Sequence, residues 1–213
     1  MFFEHDHWRL LDQFGWVVLP PRKEDRFEEL ARGIGCQVVQ SRERELIRPM
    51  IPEEASPSSL SASFGLSDFP LHCDAAHWQV PARYLALKCL DPGREPTGTK
   101  LLDTHGLTLS AAARSLARSA TFFIKNGRRS FYGSIYSNER SFCRVDPGCM
   151  IPTDARAEQA LALFAFDAVK PTVRTVVLRQ YETLLIDNWR TLHGRQAVSA
   201  DGVDRQLARR LLS

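Results

Sequence analysis

The apolar residues of this chain come in short runs, and that pattern restricts its fold more than any other feature. Strand-like segments are expected within residues 15–21, 36–39, 61–65, 83–90, 99–102, 120–125, 129–136, 141–145, 173–178, 183–186 and 205–212. Pro20-Pro21, Asp91-Pro92-Gly93, Asn126-Gly127, Ser137-Asn138 and Pro171 punctuate them, and Asn-Gly between two such runs signals a hairpin. Helical periodicity is confined to residues 4–14 (Trp8, Leu11 and Phe14 on one face, Gly15 ending the run), 23–33 (Phe27, Leu30 and Ala31 inward), 109–118 (capped by Thr108 or Ser110) and 154–166. Many short strands with a few peripheral helices imply a mainly β sandwich or jelly roll with flanking helices. No repeat, low-complexity tract or boundary divides the 213 residues, so one domain is expected over 1–213, with N-terminal helices and short strands in 1–59 and the core in 60–212. Residues 40–59, dense in Arg, Glu, Pro and Ser, read as an irregular connector or a lid.

Composition removes several classes of function. A net charge of +3 without a basic block gives little support for nucleic-acid binding, and no apolar stretch is long enough to span a membrane. The start, Met-Phe-Phe-Glu-His-Asp-His-Trp, turns polar and acidic within a few residues, unlike a secretory signal. Five cysteines with no Cys-x-x-Cys pair suit neither a disulfide framework nor a zinc knuckle, and a reduced, cytoplasmic protein is the expectation.

Three stretches carry chemistry. In Phe-Pro-Leu-His-Cys-Asp (69–74), His72 and Asp74 leave an extended backbone on one face while Cys73 leaves on the other. An imidazole beside a carboxylate is two thirds of a mononuclear non-haem iron ligand set, completed by a distant histidine. His193 stands in Asn-Trp-Arg-Thr-Leu-His-Gly-Arg, read as a turn after the strand ending near Asp187. In the last strand Arg205, Leu207, Arg209 and Leu211 share a face and Arg210 takes the other. Arginines on a core-facing strand require an anion, because a guanidinium keeps its charge and is costly to bury unpaired.

Together, His72-x-Asp74, Thr99 in Gly-Thr-Lys-Leu-Leu-Asp, the His193 stretch and the Arg205/Arg209 strand occur in an order and spacing that resemble the iron(II)/2-oxoglutarate dioxygenases of the taurine dioxygenase and clavaminate synthase-like superfamily. The resemblance covers residues 60–212 and implies a double-stranded β-helix of the cupin type. It implies that His72, Asp74 and His193 hold iron(II), that Arg205 and Thr99 bind the distal carboxylate of 2-oxoglutarate, and that Arg209 lies near its proximal carboxylate or the substrate. The implied reaction consumes dioxygen, converts 2-oxoglutarate to succinate and carbon dioxide, and hydroxylates, desaturates or cyclises at an unactivated C–H bond. The carboxylate of Asp74 argues against the halogenating branch, which lacks it. The run at 83–90 resembles the amino-acid oxygenase branch, so a small amino acid or its derivative is the expected substrate, with sulfonates and carrier-tethered molecules as alternatives. A non-catalytic jelly-roll binding protein is the rival from another class.

Other residues invite weaker readings. His77 competes as third ligand through His-x-Asp-x-x-His; His77 and Trp78 are otherwise expected to line the substrate pocket or simply to pack. His5-Asp6-His7 is expected on a helix surface, where i and i+2 do not share a face. Arg128, Arg129, Arg140 and Arg144 are read as solvated strand-edge charges, any of which could instead meet a substrate carboxylate.

Overall fold

A computed structural model describes residues 4–39, 46–57, 59–137 and 142–213. In chain order the elements are α1 (His5–Phe14), β1 (Trp16–Leu19), α2 (Phe27–Gly33), β2 (Leu46–Ile47), α3 (Leu60–Phe64), β3 (Tyr84–Asp91), β4 (Thr99–Asp103), α4 (Ala111–Ser119), β5 (Phe122–Ile124), β6 (Phe131–Gly133), β7 (Met150–Pro152), α5 (Ala155–Ala162), α6 (Phe166–Val169), β8 (Arg174–Val176), β9 (Thr183–Asp187), β10 (Thr191–Arg195) and β11 (Gln206–Leu212). The strands form a five-stranded sheet, β1-β9-β3-β11-β2, and two three-stranded sheets, β10-β4-β8 and β6-β5-β7. Every strand pairing is antiparallel.

Side-chain alternation decides what lies on each face. Along β3, Tyr84 and Ala86 pack with Leu11, Phe27, Leu30 and Leu185 beneath α1 and α2. Leu85, Leu87 and Cys89 point the other way, joining Leu184, Ile186, Leu207 and Leu211 against Leu101 and Leu178. This second cluster fills the space between the five-stranded sheet and β10-β4-β8. Burying each such leucine or isoleucine stabilises the fold by about 1.5–3 kcal/mol. A third cluster, around Phe122, Ile124, Ile135 and Phe164, joins α4 and α5 to β6-β5-β7 and receives Leu102 and Leu192 from the outer face of β10-β4-β8.

Several expectations meet corrections. Residues 61–65 lie largely in a helix, α3, rather than a strand; Leu60, Ala62 and Phe64 fit period two, but five residues are too few to separate that from a helical period. His193 sits inside β10, not in a turn. Asp154 caps α5 through Ala157 N–H at 2.8 Å, but the helix stops at Ala162 and a separate α6 follows. Between β5 and β6, Asn126-Gly127 opens a 3-10 turn and not a two-residue hairpin. Within 36–39 only Val38 makes a ladder bridge, to Leu212, and within 142–145 only Cys143 does, to Tyr136. The short strand β7, closed by Pro152, carried no recognisable period. On α1, Leu11 is buried whereas Trp8 and Phe14 are exposed. Residues 40–45, within the expected lid, and Asn138 and Arg140 lie outside the described residues.

Candidate metal centre

Two backbone contacts bring the distant histidines together. His72 and His193 exchange N–H···O=C bonds, each 2.8 Å, forming an isolated antiparallel bridge at the middle of β10, on the edge away from its five-residue ladder with β4. In that ladder His193 stands opposite Leu101, an interior residue, while its neighbour Leu192 faces outward. Alternation therefore turns the imidazole of His193 inward. Cys73 points into the outer cluster, leaving His72 and Asp74 on the interior side as the sequence implied.

The side chains converge. One donor atom from each of His72, Asp74 and His193 lies within 4.8 Å of the others, the one such cluster of histidine, cysteine and acidic groups among the described residues. Asp74 Oδ1 is 3.7 Å from His72 Nε2 and 3.8 Å from His193 Nε2, too far for hydrogen bonds and close enough for one ion to touch all three. His72 Nδ1 lies 3.0 Å from Pro70 O, a contact that places the proton on Nδ1 and leaves Nε2 free to ligate. The buried Nδ1 of His193 has no hydrogen-bond partner among the described residues.

The electrostatics suit a cation. Burial, and then the charge of His72, push His193 down to about 3, so its imidazole is neutral. Burial alone would raise the Asp74 carboxyl, but Arg209, His193 and His72 outweigh it and hold it below the ordinary range. Arg209 Nη1 lies 3.4 Å from Asp74 Oδ2. The neutral imidazole of His193, the ring of His72 with Nε2 turned to the cluster, and an ionised carboxylate fit a divalent non-haem metal.

An anion-accepting end lies on the same interior face. Arg205 is 5% exposed, and its Nη2 donates to Thr99 Oγ1 at 3.2 Å. Burial lowers its affinity for its proton, and the only opposing influence on it comes from Cys89 rather than from a carboxylate. Nearby, burial followed by the charge of Arg205 brings Arg195 down to about 10. Arg195 is occupied, donating to Gly65 O and Ser67 O at 2.7 and 2.8 Å and stacking over Phe69 at 4.1 Å. Thr99 and Arg205, 106 positions apart in the chain, are thus brought into contact.

The β9–β10 turn places these parts. Asp187 Oδ1 accepts from Trp189 N–H, Trp189 Nε1 donates to Pro81 O, and Arg190 makes a two-point bond to Asp103 at 2.7 and 2.6 Å, anchoring the start of β10 on the end of β4. Gly194 is needed for a close approach: an added Cβ would lie 2.8 Å from Phe69 O and 3.0 Å from Pro70 O, both backbone atoms. Gly194→Ala is expected to push 69–70 off β10, breaking the 2.8 Å bond from Phe69 N–H to Arg195 O and costing about 1–3 kcal/mol. Urea unfolding and metal titration, both weakened, check this.

The remaining candidates divide. His77 stands outside the metal cluster; its carbonyl accepts from Asn126 Nδ2 at 2.9 Å, and its ring meets Trp78 edge-on. Trp78 packs against the interior cluster that also holds Ala75 and Leu101. His7 takes part in capping α1 and His5 is exposed. Arg128 and Arg129 are exposed. Arg144 is the exception to the solvated reading: it is 3% exposed, donates to the carbonyls of Ala76, Trp78 and Gln79, and stacks on Phe131 and Phe142. Asp146 was also overlooked. It is close enough to His72 and Asp74 for both to influence its carboxyl, which burial raises. The cysteines are free thiols, four of them buried, with Cys73 pushed up to about 12 and Cys89 to about 11. No helix among the described residues is long and apolar enough to cross a membrane.

Known structures share this architecture. Asparagine oxygenase, solved with iron(II), (2S,3S)-3-hydroxyasparagine and succinate, superposes with a TM-score of 0.73 at 18% identity over 97% of this chain and 77% of that one. OrfP, a non-haem iron oxygenase solved with iron, succinate and (3R,4R)-dihydroxy-L-arginine, gives 0.69 at 20% identity over 97% and 78%. OrfP with iron and α-ketoglutaric acid gives 0.66 at 22% over 97% and 77%. This chain has the fold of these oxygenases. No protein-family model and no curated protein matches it. At such identities the oxygenase fold is what is shared, and the ligand and clamp residues of this chain stand on their own geometry.

Proposed function

We propose that this chain is a single-domain iron(II)- and 2-oxoglutarate-dependent oxygenase acting on an amino acid or an amino-acid derivative. One observation carries the reading. The His72–Asp74–His193 cluster and the Arg205–Thr99 pair, drawn from four separate parts of the sequence, meet inside the same sheet pair. The jelly-roll reading, a double-stranded β-helix over 60–212, is supported by the antiparallel pairings and the shared fold.

His72, Asp74 and His193 would hold the metal, which when bound supplies the activation of dioxygen and the oxidative decarboxylation of 2-oxoglutarate. Arg205 offers a planar fork, and Thr99 a hydroxyl, to the distal carboxylate of the co-substrate. Arg209 keeps Asp74 ionised and orients its second oxygen. The apolar interior, with Leu101, Leu207, Leu211 and Trp78, excludes water from the reacting groups. The amino-acid products held by asparagine oxygenase and OrfP support the amino-acid substrate class.

Succinate release with iron(II), ascorbate and 2-oxoglutarate tests the proposal. Stimulation by members of an amino-acid panel is the expected result. Stimulation only by sulfonates or carrier-tethered acids would move the substrate class. Silence across all panels, uncoupled turnover included, would leave a binding protein.

A further inference from the structure

The segment after Asp74 is buried but irregular, so its backbone groups need partners from elsewhere. Ala75 takes φ of 57°, a left-handed conformation that a residue with a side chain holds only under constraint. Side chains from two distant places supply the partners. Arg144 takes the carbonyls of Ala76, Trp78 and Gln79, and Trp189 takes that of Pro81. The ligand residue itself is held by Asn188. Its Oδ1 accepts from Asp74 N–H at 2.8 Å, and its Nδ2 donates to Asp74 O at 3.0 Å and Ala82 O at 2.8 Å. The backbone N–H of Asn188 donates to Arg83 O at 2.8 Å, tying the amide to the start of β3.

We infer that Asn188 is a positioning residue for the metal centre, setting the Asp74 carboxylate relative to His193 through a two-point clasp on the Asp74 peptide. The inference rests on the metal-binding reading given above. Asn188 is 1% exposed, and its side-chain amide has all three of its bonds on the 74–82 segment. It lies in the turn that leads into β10, the strand carrying His193. One rigid turn therefore positions two ligands, His193 through the chain and Asp74 through this amide. Without the amide, the Asp74 N–H and C=O are left buried and unpaired, and the left-handed Ala75 next to them has no reason to persist. The carboxylate then loses its fixed separation from the two imidazoles.

The test is titration of the protein with cobalt(II) alone, reading affinity and the visible spectrum of the bound ion, for the parent, Asn188→Ala, Asn188→Ser and Leu185→Ala. Leu185 shares β9 but packs beneath α1 and α2, away from the ligands, and reports the effect of destabilisation alone. Asn188→Ala is expected to weaken cobalt(II) by about 10- to 100-fold with an altered spectrum, the range for losing a group that orients a ligand. Asn188→Ser, whose hydroxyl cannot span both peptide groups, is expected to weaken it several-fold, and it decides the matter where the alanine variant fails to fold. Leu185→Ala is expected to melt lower with unchanged affinity. Folded Asn188 variants that bind cobalt(II) like the parent, whatever their melting temperature, would overturn the clasp. A parent that binds no cobalt(II) would overturn the metal reading itself, a result distinct from the first.

Discussion

His193→Ala is expected to abolish binding of iron(II) or cobalt(II), weakening it by more than about 100-fold, since removal of a ligand exceeds the effect of losing a group behind one. Binding is read by isothermal titration or cobalt(II) absorbance. The variant should remain folded. His193 makes no side-chain hydrogen bond through Nδ1, so truncation strands no partner and leaves only a small cavity at a 6% exposed site. His77→Ala provides the contrast. Its ring stands outside the cluster, and the contact it makes to Asn126 uses the backbone carbonyl, which alanine keeps. Parent-like affinity is expected there. The reverse pattern, with His77 essential and His193 dispensable, would reassign the third ligand.

Arg205→Ala is expected to raise the concentration of 2-oxoglutarate required for succinate release by about 30- to 4,000-fold while changing iron(II) affinity little. A buried charge-assisted carboxylate pair loses about 2–5 kcal/mol when one side is truncated, and every 1.4 kcal/mol is tenfold. Arg205 is buried with Thr99 as its hydrogen-bonded neighbour and carries no carboxylate of its own among the described residues, so the co-substrate is the anion it would serve. Arg209 contacts Asp74 instead, and changing it should disturb metal and co-substrate together. Arg205→Lys should recover only part of the loss, because an ammonium lacks the planar fork. A 2-oxoglutarate requirement unchanged in Arg205→Ala would move the clamp to another arginine.

Much of this site was legible in the sequence because its parts obey short-range rules. His72 and Asp74 are two positions apart on extended backbone, and Arg205 and Arg209 alternate with Leu207 and Leu211, so each pair had to share a face. The long strand β3 was legible as an unbroken apolar run, and α2 through the spacing of Phe27, Leu30 and Ala31, although the helix starts at Phe27 and not at residue 23. Short elements were not. Five residues of α3 fitted a strand as well as a helix, and three-residue β7 offered no period at all.

The burial of Arg144 and the contacts of Asn188 and Asp146 were not legible for a different reason. Nothing local distinguishes a buried arginine that holds carbonyls of another segment from a solvated one at a strand edge. Asn188 touches Asp74 across more than a hundred residues of intervening chain, and its role exists only where the two segments meet. The sequence by itself determined the shared face of His72 and Asp74, that of Arg209 and the strand leucines, and the mainly β architecture, because residue type and alternation act over a few positions. Tertiary structure alone decided that His193 lies in a strand bridged to His72, that Gly194 leaves room for that approach, and that Asn188 and Arg144 satisfy the irregular backbone behind Asp74. Those outcomes depend on which buried backbone groups lack partners once the sheets have packed, and no local pattern records that.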